Sequence, residues 1–563
     1  MTQELKNIKE ILAGLIHEAL VSYSKKQGVE IPDVSIIIER PKNKEFGDFA
    51  TNAAMQTARH FKKNPYEIAE GLMSLIPSNP YIHEVTAIKP GFINFRLNPA
   101  AGSLILENIL ALGKNYGRLN IGKGKKVLIE FMSANPTGPL HIGHARNAIL
   151  GDSIARVLEA AGYKVTREYY YNDAGVQMKK LGLSLKVRYL QALGKDVPFP
   201  ADGYQGGYIK EIANKLVSER GEDLIPETDI QTFTQFAADR IIKLIDADMK
   251  TLGIHFDNWF SEASLHKNGK VDATMEYLKD KGMLYEKEGA WWLRSAKFGD
   301  EKDRVVVKSD GEKTYLAPDI AYHKDKIDRG FDLLINIFGG DHHGYVPRLM
   351  AGVQALGYDP ERLRCIVFQM VTLLKDGEQI KLSTRSGKFI TLREVIEELG
   401  VDVVRYFFLM RSADSQMVFD WQLAKDHSMN NPVFYVQYAH ARCCSLFKKA
   451  DELGITWAGP EKCDTSLLTL KDEQQVIKEL ERLPEVVKLS AETFEPHHIT
   501  VYLSELAGAF HALFTSGTKD ETKRFLRPDE PDLTQARLTL VAALRQTLAN
   551  TLTIIGITPM ERM

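Results

Sequence analysis

The densest chemistry in the chain is the run Pro139-Leu140-His141-Ile142-Gly143-His144, set between the apolar stretch VLIEFM and the amphipathic stretch ARNAILGDSIARVLEAAG. With the first as a buried strand and the second as a helix, the run sits at a helix N-terminus. There, free backbone N–H groups and the helix dipole favour a phosphate. Gly143 lets a ligand come close to the backbone. His141 and His144, three residues apart in the first turn, can share one side and donate hydrogen bonds to phosphate oxygens. A second group is acidic. Glu130 lies inside VLIEFM, where a charge is costly unless a cation meets it, and Asp319 follows Tyr315 by four residues, so one helical turn puts both on one face. In FGGDHHGY, Gly339 and Gly340 permit close approach after a strand, and Asp341 can accept from a ribose hydroxyl. Adjacent side chains diverge, so His342 and His343 beside Asp341 predict no protein-bound metal.

These residues need a strand–turn–helix–strand frame to hold them. VLIEFM, the histidine run, a helix carrying Leu150, Ile154, Leu158 and Ala161 on one stripe and stopped at Gly162, and the strand YKVTREYYY make one βαβ unit. Residues 175–290 read mostly as helices. A strand-rich stretch follows, with TYLAPDIAYH, FDLLINIFGGDHHGY, RCIVFQMVTLL and the hairpin-like KDGEQIKLSTRSGKFITL. Alternation of strand and helix over residues 120–430 predicts an α/β, doubly wound, Rossmann-type parallel sheet interrupted by a helical insertion.

Upstream, residues 1–115 open with a helix that places Ile8, Ile11, Leu12, Leu15 and Ile16 on one face. The strand-like runs VSIIIER and GFINFRL then suggest a small α+β domain. It ends in the linker-like GKNYGRLNIGKGKK, which lacks the GK[ST] of a phosphate loop. Downstream, residues 433–563 are helical in period throughout and predict an all-helical bundle. This part carries 15 Lys+Arg against 18 Asp+Glu, so RNA binding there must come from side-chain placement and not from its overall field.

The 563 residues, 44% hydrophobic and 26% charged, exclude a stapled mini-protein, and no apolar run reaches the roughly 18 residues of a membrane span. A net charge of -2 announces no nucleic acid and, being a whole-chain average, does not exclude RNA. Four cysteines without a CxxC, and an N-terminal amphipathic segment containing Glu4, Glu10 and Glu18, predict a cytoplasmic protein.

EFMSANPTGPLHIGHARNAILGD resembles the HIGH signature of class I aminoacyl-tRNA synthetases, in the form found in arginyl-tRNA synthetases. Lys381-Leu382-Ser383-Thr384-Arg385, about 240 residues further on, resembles the KMSKS loop and departs from it at Leu382 and at Thr384-Arg385. GDFATNAAM resembles part of the family's N-terminal additional domain, which contacts the tRNA elbow, and the segment from FYVQYAHAR onward resembles its anticodon-binding domain. The resemblance implies an arginine–tRNA ligase that uses L-arginine, ATP with its Mg²⁺, and tRNA(Arg); no DNA or membrane partner is expected, and between monomer and dimer, which the sequence leaves open, a monomer is the expectation. It implies catalysis by His141, His144, Lys381 and Arg385. ATP would be bound by Ser133, His141, Gly143, His144, Gly339, Asp341, Met370, Lys381 and Ser383. For arginine it implies Glu130 and Asp319 on the guanidinium, with Tyr315, Asn135 and His343 completing the pocket.

A planar five-donor cation needs carboxylates in fork geometry, which fits two acids. For tRNA, Tyr435, Tyr438 and Arg442, spaced three and four apart, together with Gln437, offer aromatic faces and amides on one helix. Synthetases for glutamate, glutamine or cysteine, and a tRNA-binding relative without catalysis, are the alternatives. An acidic pocket opposes acidic substrates, missing zinc-ligand cysteines disfavour the cysteine enzyme, and the intact histidine run and Lys381 speak against lost catalysis.

Overall fold

The computed structural model describes residues 7–173, 175–224, 229–380 and 390–563. The first helix, Ile8–Gln27, starts at a reciprocal cap between Asn7 and Glu10 and stops at Gly28, whose φ of 68° is left-handed. Its Leu12, Ile16 and Leu20 join Phe49 and Phe95 in a core of their own. These phenylalanines come from a three-stranded antiparallel sheet, β1 (Phe49–Thr51), β2 (Ile82–Ile88) and β3 (Phe92–Leu97), in the order β1-β3-β2. The Gly- and Lys-rich stretch that reads as a linker is pinned at its start. Asn550 donates to the carbonyls of Gly113 and Tyr116 at 2.8 and 3.0 Å, and buried Tyr116 donates to the carbonyl of Leu480 at 2.7 Å.

Eight strands follow: β4 (Lys126–Glu130), β5 (Lys164–Tyr171), β6 (Asn258–Ser261), β7 (Leu284–Lys287), β8 (Ala290–Leu293), β9 (Arg304–Val307), β10 (Leu333–Gly339) and β11 (Leu363–Phe368). Five of them make a parallel sheet in the order β11-β10-β4-β5-β6. Chain order reverses between β4 and β10, so a crevice opens beyond their C-terminal ends, where open α/β sheets bind ligands.

Two expectations need correction. Residues 175–290 are not simply a helical insertion. Helices Gly175–Ala192, Gly207–Arg220 and Ile230–Thr251 return the chain to β6, which completes the edge of the main sheet, and β7–β9 form a separate antiparallel sheet. TYLAPDIAYH is also not a strand. Its apolar residues Leu316, Ala317, Ile320 and Ala321 recur at helical spacing and are buried on one side of the helix Leu316–Asp328.

In the last sheet, β12 (Val371–Lys375), β13 (Glu378–Ile380) and β14 (Met417–Asp420), β12 and β13 form a hairpin around Asp376-Gly377, and residues 381–389 of the segment expected to be hairpin-like lie outside the described residues. Lys381, Ser383 and Arg385 lie outside the described residues. From Pro432 onward the regular structure is helical, including Pro432–Glu452, Lys471–Glu481, His497–Lys519 and Pro531–Ile554. Among the described residues no helix is long and apolar enough to cross a membrane.

The helix after the histidine run, Ile142–Ala160, lies so close on the sheet that a Cβ at Gly151 would come within 2.2 Å of the Phe131 ring. Its Asp152 is fully buried and receives Arg405 at 2.6 Å, with Arg156 at 2.7 Å and Arg167 at 3.3 Å. Arg405 also donates to the carbonyls of Leu252 and Ile555, so this one cation ties the sheet-covering helix to the returning insertion and to the C-terminal end of the bundle.

Candidate active site

β4 delivers Glu130 to the crevice, and the chain then turns sharply, with Met132 (φ 72°) and Ser133 (φ 33°) both left-handed. Such backbone costs about 1–3 kcal/mol per residue and persists only where its surroundings fix it. Here Asn147 accepts from the Met132 N–H at 2.9 Å, and the buried Tyr169 hydroxyl bonds both the N–H and the carbonyl of Ala134 at 3.1 and 2.8 Å. These contacts fix the start of the loop that leads to His141.

His141 is the N-cap of its helix. The Gly143 N–H donates to His141 Nδ1 at 3.1 Å, the His141 N–H donates to His144 Nδ1 at 3.1 Å, and the two rings stack with centroids 3.8 Å apart. Both Nδ1 atoms therefore accept, which places the proton of each neutral ring on Nε2. Burial lowers the pKa of His141, and burial together with His141 lowers that of His144 to about 3. The pair offers two fixed neutral N–H donors, and the positive charge needed on phosphates must come from elsewhere.

Between β4, β10 and the helix Leu316–Asp328 lies a cavity of about 300 Å³. Three carboxylates line it: Glu130, Glu262 and Asp319. Glu130, expected to meet a substrate cation, lines the cavity and is paired in this structure with a cation of the protein. Lys326, seven residues beyond Asp319 on the same helix and wholly buried, donates to its Oε2 at 2.5 Å, and Ser133 donates to its Oε1 at 3.0 Å. The charge in VLIEFM is met by the protein's own lysine.

Asp319 and Glu262 differ. Among the described residues neither has an ion-pair partner. Asp319 accepts from the Tyr345 hydroxyl, and Glu262 accepts from the Tyr170 hydroxyl at 2.7 Å. Burial raises both carboxyls. Asp319 goes up to about 7, with a partly offsetting hydrogen bond from Tyr345 and further upward pressure from Glu262 and Glu130. Two carboxylates held in one cavity with no ion-pair partner among the described residues have the chemistry to receive a cation. Glu262 gave no sign in the sequence, because SEAS after a short strand reads as an ordinary helix start; its Ser261 is indeed an N-cap.

Tyr315, at the start of the helix, lines the same cavity while 61% exposed, and its hydroxyl accepts from Arg348 at 2.9 Å. Asn135 lines this cavity and a neighbouring one of about 700 Å³, and donates to Gln177 at 3.0 Å. The larger cavity is lined by His141 and His144 and also by Lys180, Tyr204 and Tyr208, from a segment that shows no motif in sequence. Ser133 and Gly339 also border the smaller cavity. His343 is exposed and is not among its lining residues; His342 takes that place, because the short turn Gly340–His342 rotates successive side chains apart. Asp341 is exposed and accepts from His342 Nδ1 at 3.1 Å, and Met370 stands 61% exposed between β11 and β12. Gln369 just before it is fixed by Arg146, which donates to its carbonyl at 2.6 Å.

In the C-terminal bundle Tyr435, Tyr438 and Arg442 come together around His511. The Arg442 guanidinium lies 4.3 Å above the Tyr438 ring and bonds His511 Nδ1 at 3.1 Å, and Tyr435 meets His511 edge to face at 4.6 Å. Gln437 points the other way and is buried, donating to Asp402 at 2.8 Å and to the Thr558 carbonyl at 3.0 Å. It is an internal tie, unlike the surface contact expected of it.

A parallel sheet with a ligand crevice at its switch point, a histidine-capped helix beside it and an acidic cavity next to that define the catalytic core of a class I tRNA synthetase. Accordingly, the family described as tRNA synthetases class I (R), catalytic domain, matches residues 105–407. The DALR anticodon binding domain matches 436–563, and the arginyl tRNA synthetase N terminal domain matches 6–97. The chain is 46% identical over 563 residues to the arginine–tRNA ligase of Oceanobacillus iheyensis, covering 99% of this chain and 100% of that one. It is 48% identical over 538 residues to that of Citrifermentans bemidjiense, covering 95% and 96%. The solved arginyl-tRNA synthetase of Thermus thermophilus shares the fold, with a TM-score of 0.73 at 22% identity over 99% of this chain and 100% of the other. The chain belongs to the arginyl-tRNA synthetase family.

Proposed function

We infer that the protein activates L-arginine with ATP and transfers it to the terminal adenosine of tRNA(Arg). The observation that carries this reading is the pair Asp319 and Glu262, two carboxylates without an ionic partner among the described residues, in a cavity beside two fixed imidazole donors. In the first step the arginine carboxylate attacks the α-phosphorus of ATP and pyrophosphate leaves. In the second a ribose hydroxyl of the tRNA terminus attacks the activated carbonyl and AMP leaves. Neither step needs an enzyme nucleophile, so catalysis is alignment and stabilisation of charge on the phosphates.

His141 and His144 Nε2–H and the Gly143 backbone at the helix N-terminus serve as donors. Lys381 and Arg385 supply the cations, and Mg²⁺ enters chelated by the triphosphate as part of that substrate. Ser133, Ser383, Gly339, Asp341 and Met370 hold the rest of the nucleotide. Asp319 and Glu262 take the guanidinium, with Tyr315 over it and Asn135 at the α-amino end. A cavity of this kind rejects uncharged analogues because they would leave buried carboxylates unpaired, and no editing site is required.

The N-terminal domain engages the tRNA elbow, and the Tyr435, Tyr438 and Arg442 cluster meets unstacked bases. In this reading the enzyme works as a monomer in the cytoplasm, which light scattering and cell fractionation check. The decisive assay offers each amino acid with and without tRNA and measures attachment and ATP–pyrophosphate exchange. Arginine alone is expected to be attached; attachment of another amino acid, or none, overturns the reading.

A further inference from the structure

Two residues past His144, on the helix Ile142–Ala160, Arg146 is among the largest fully buried side chains, at 1% exposure. Burying a guanidinium is costly unless its donors are satisfied, and here they meet main-chain carbonyls from two distant loops. Nη1 donates to the Gln369 carbonyl at 2.6 Å, and Nη2 donates to those of Ser412 at 2.9 Å and Ser415 at 3.0 Å. These loops lead into β12 and β14, which pair in parallel from Val371 with Met417, and the Gln369 N–H donates to the Ala413 carbonyl at 2.9 Å. Arg146 ties this joined pair of loops to the histidine-capped helix. Burial lowers its pKa to about 10, with Asp414 partly offsetting, so it carries its charge at neutral pH.

The clamp also sets a direction. A trans peptide is planar, and its C=O and the following N–H point opposite ways. Because the Gln369 carbonyl is turned to Arg146, the Met370 N–H in the same peptide is turned away from it. Gln369 in turn lies against the glycine turn: a Cβ on Gly340 would stand 3.5 Å from the Phe368 carbonyl oxygen and 3.6 Å from Gln369 Oε1. One buried side chain therefore joins the helix of His141 and His144 to the residue before Met370, and that residue packs on the turn after β10.

We propose that Arg146 is a positioning residue for ATP, a buried clamp that holds the Met370 backbone at a fixed distance and direction from the His141 and His144 donors. This proposal rests on the reading of Met370 and Gly339 as nucleotide contacts. With the base seated at Met370 and the triphosphate on the histidines, the spacing between the two decides where the α-phosphorus meets the arginine carboxylate. A misplacement of about 1 Å there costs about 100-fold in rate. A main-chain N–H offered to the base also suits adenine, whose N1 accepts a hydrogen bond, and opposes guanine, whose N1 carries a hydrogen.

The test compares wild type, Arg146→Lys and Arg146→Met in ATP–pyrophosphate exchange with tRNA present, reading KM for ATP, KM for arginine, and the ratio of kcat/KM for ATP to that for GTP. Lysine keeps the charge but has no planar fork to span those carbonyls. Arg146→Lys is expected to raise the ATP KM about tenfold or more and to lower the ATP-to-GTP ratio about tenfold or more, with the arginine KM within about threefold. Arg146→Met is expected to move the same two quantities further. Neither KM nor the ratio depends on the fraction of a preparation that is folded, so a loss of stability alone leaves all three unchanged, and Arg146→Lys carries the test if Arg146→Met does not fold.

An ATP KM or an ATP-to-GTP ratio that stays at the wild-type value in Arg146→Lys overturns the proposal and leaves Arg146 a structural tie; so does an equal rise in the KM values for ATP and arginine. Wild-type enzyme that uses GTP as readily as ATP would defeat the nucleotide reading itself, whereas a wild type selective for ATP with an unchanged ratio in Arg146→Lys defeats only the role of Arg146.

Discussion

Arginine binding is expected to expel a proton from Asp319, and this sets a pH dependence that can be worked out from the cavity. Burial, with Glu262 and Glu130 nearby and the Tyr345 hydrogen bond and Lys326 only partly offsetting, places the empty carboxyl at about 7, against 3.8 for an ordinary aspartate. The guanidinium requires the ionised form, so apparent affinity scales with the ionised fraction. That fraction is about a half at pH 7 and about a tenth at pH 6, so the arginine Kd should weaken about tenfold between pH 8 and pH 6.

Proton release on binding should follow the complement, about 0.9 per arginine at pH 6, 0.5 at pH 7 and 0.1 at pH 8. Calorimetric titration in buffers of different ionisation enthalpy measures both quantities together. The stability sign agrees: because folding raises this pKa, its contribution is present below the unfolded value and is lost as pH rises through about 7. Arginine should therefore raise the melting temperature more at pH 8 than at pH 6. Asp319→Asn should abolish the proton release and leave arginine binding weak at every pH. A Kd that is flat from pH 6 to 8, or proton release that persists in Asp319→Asn, would refute the reasoning.

Other perturbations probe neighbouring parts. Glu262→Gln should raise the arginine KM by at least tenfold while leaving the ATP KM unchanged, measured by pyrophosphate exchange in the presence of tRNA. His144→Ala should lower kcat by about 10²–10³ with arginine affinity nearly intact, as for loss of one transition-state donor. Because burial keeps His144 neutral down to about pH 3, no step in kcat between pH 6 and 8 should trace to that residue, which comparison of the wild-type and variant pH profiles checks. Arg405→Met should destabilise the fold by about 3 kcal/mol, the low end for a broken buried pair, because Asp152 keeps Arg156 and Arg167; chemical denaturation reads this directly.

Much of the protein could be read from local pattern. The histidine run at a strand–helix junction, the helical period of the last 130 or so residues and the alternation of the centre all depend on neighbours within a few turns, and local physics decides them. The acids could also be listed, but not their partners. Glu130 meets Lys326, 196 residues away, and Lys326 in its sequence setting is one more lysine on an amphipathic helix. Glu262 enters the cavity only because an insertion that reads as helices ends in the edge strand β6, whose pairing with β5 brings residue 262 to within a hydrogen bond of Tyr170.

His342 rather than His343 faces the cavity because of the rotation of one short turn. In the same way Gln437 is internal because Asp402 and the Thr558 carbonyl close over it. Residue type and spacing therefore determined which chemistry the chain carries. Which carboxylates stay free for a ligand was decided by long-range packing, because a buried charge takes the nearest counter-ion in space, whatever its distance along the chain.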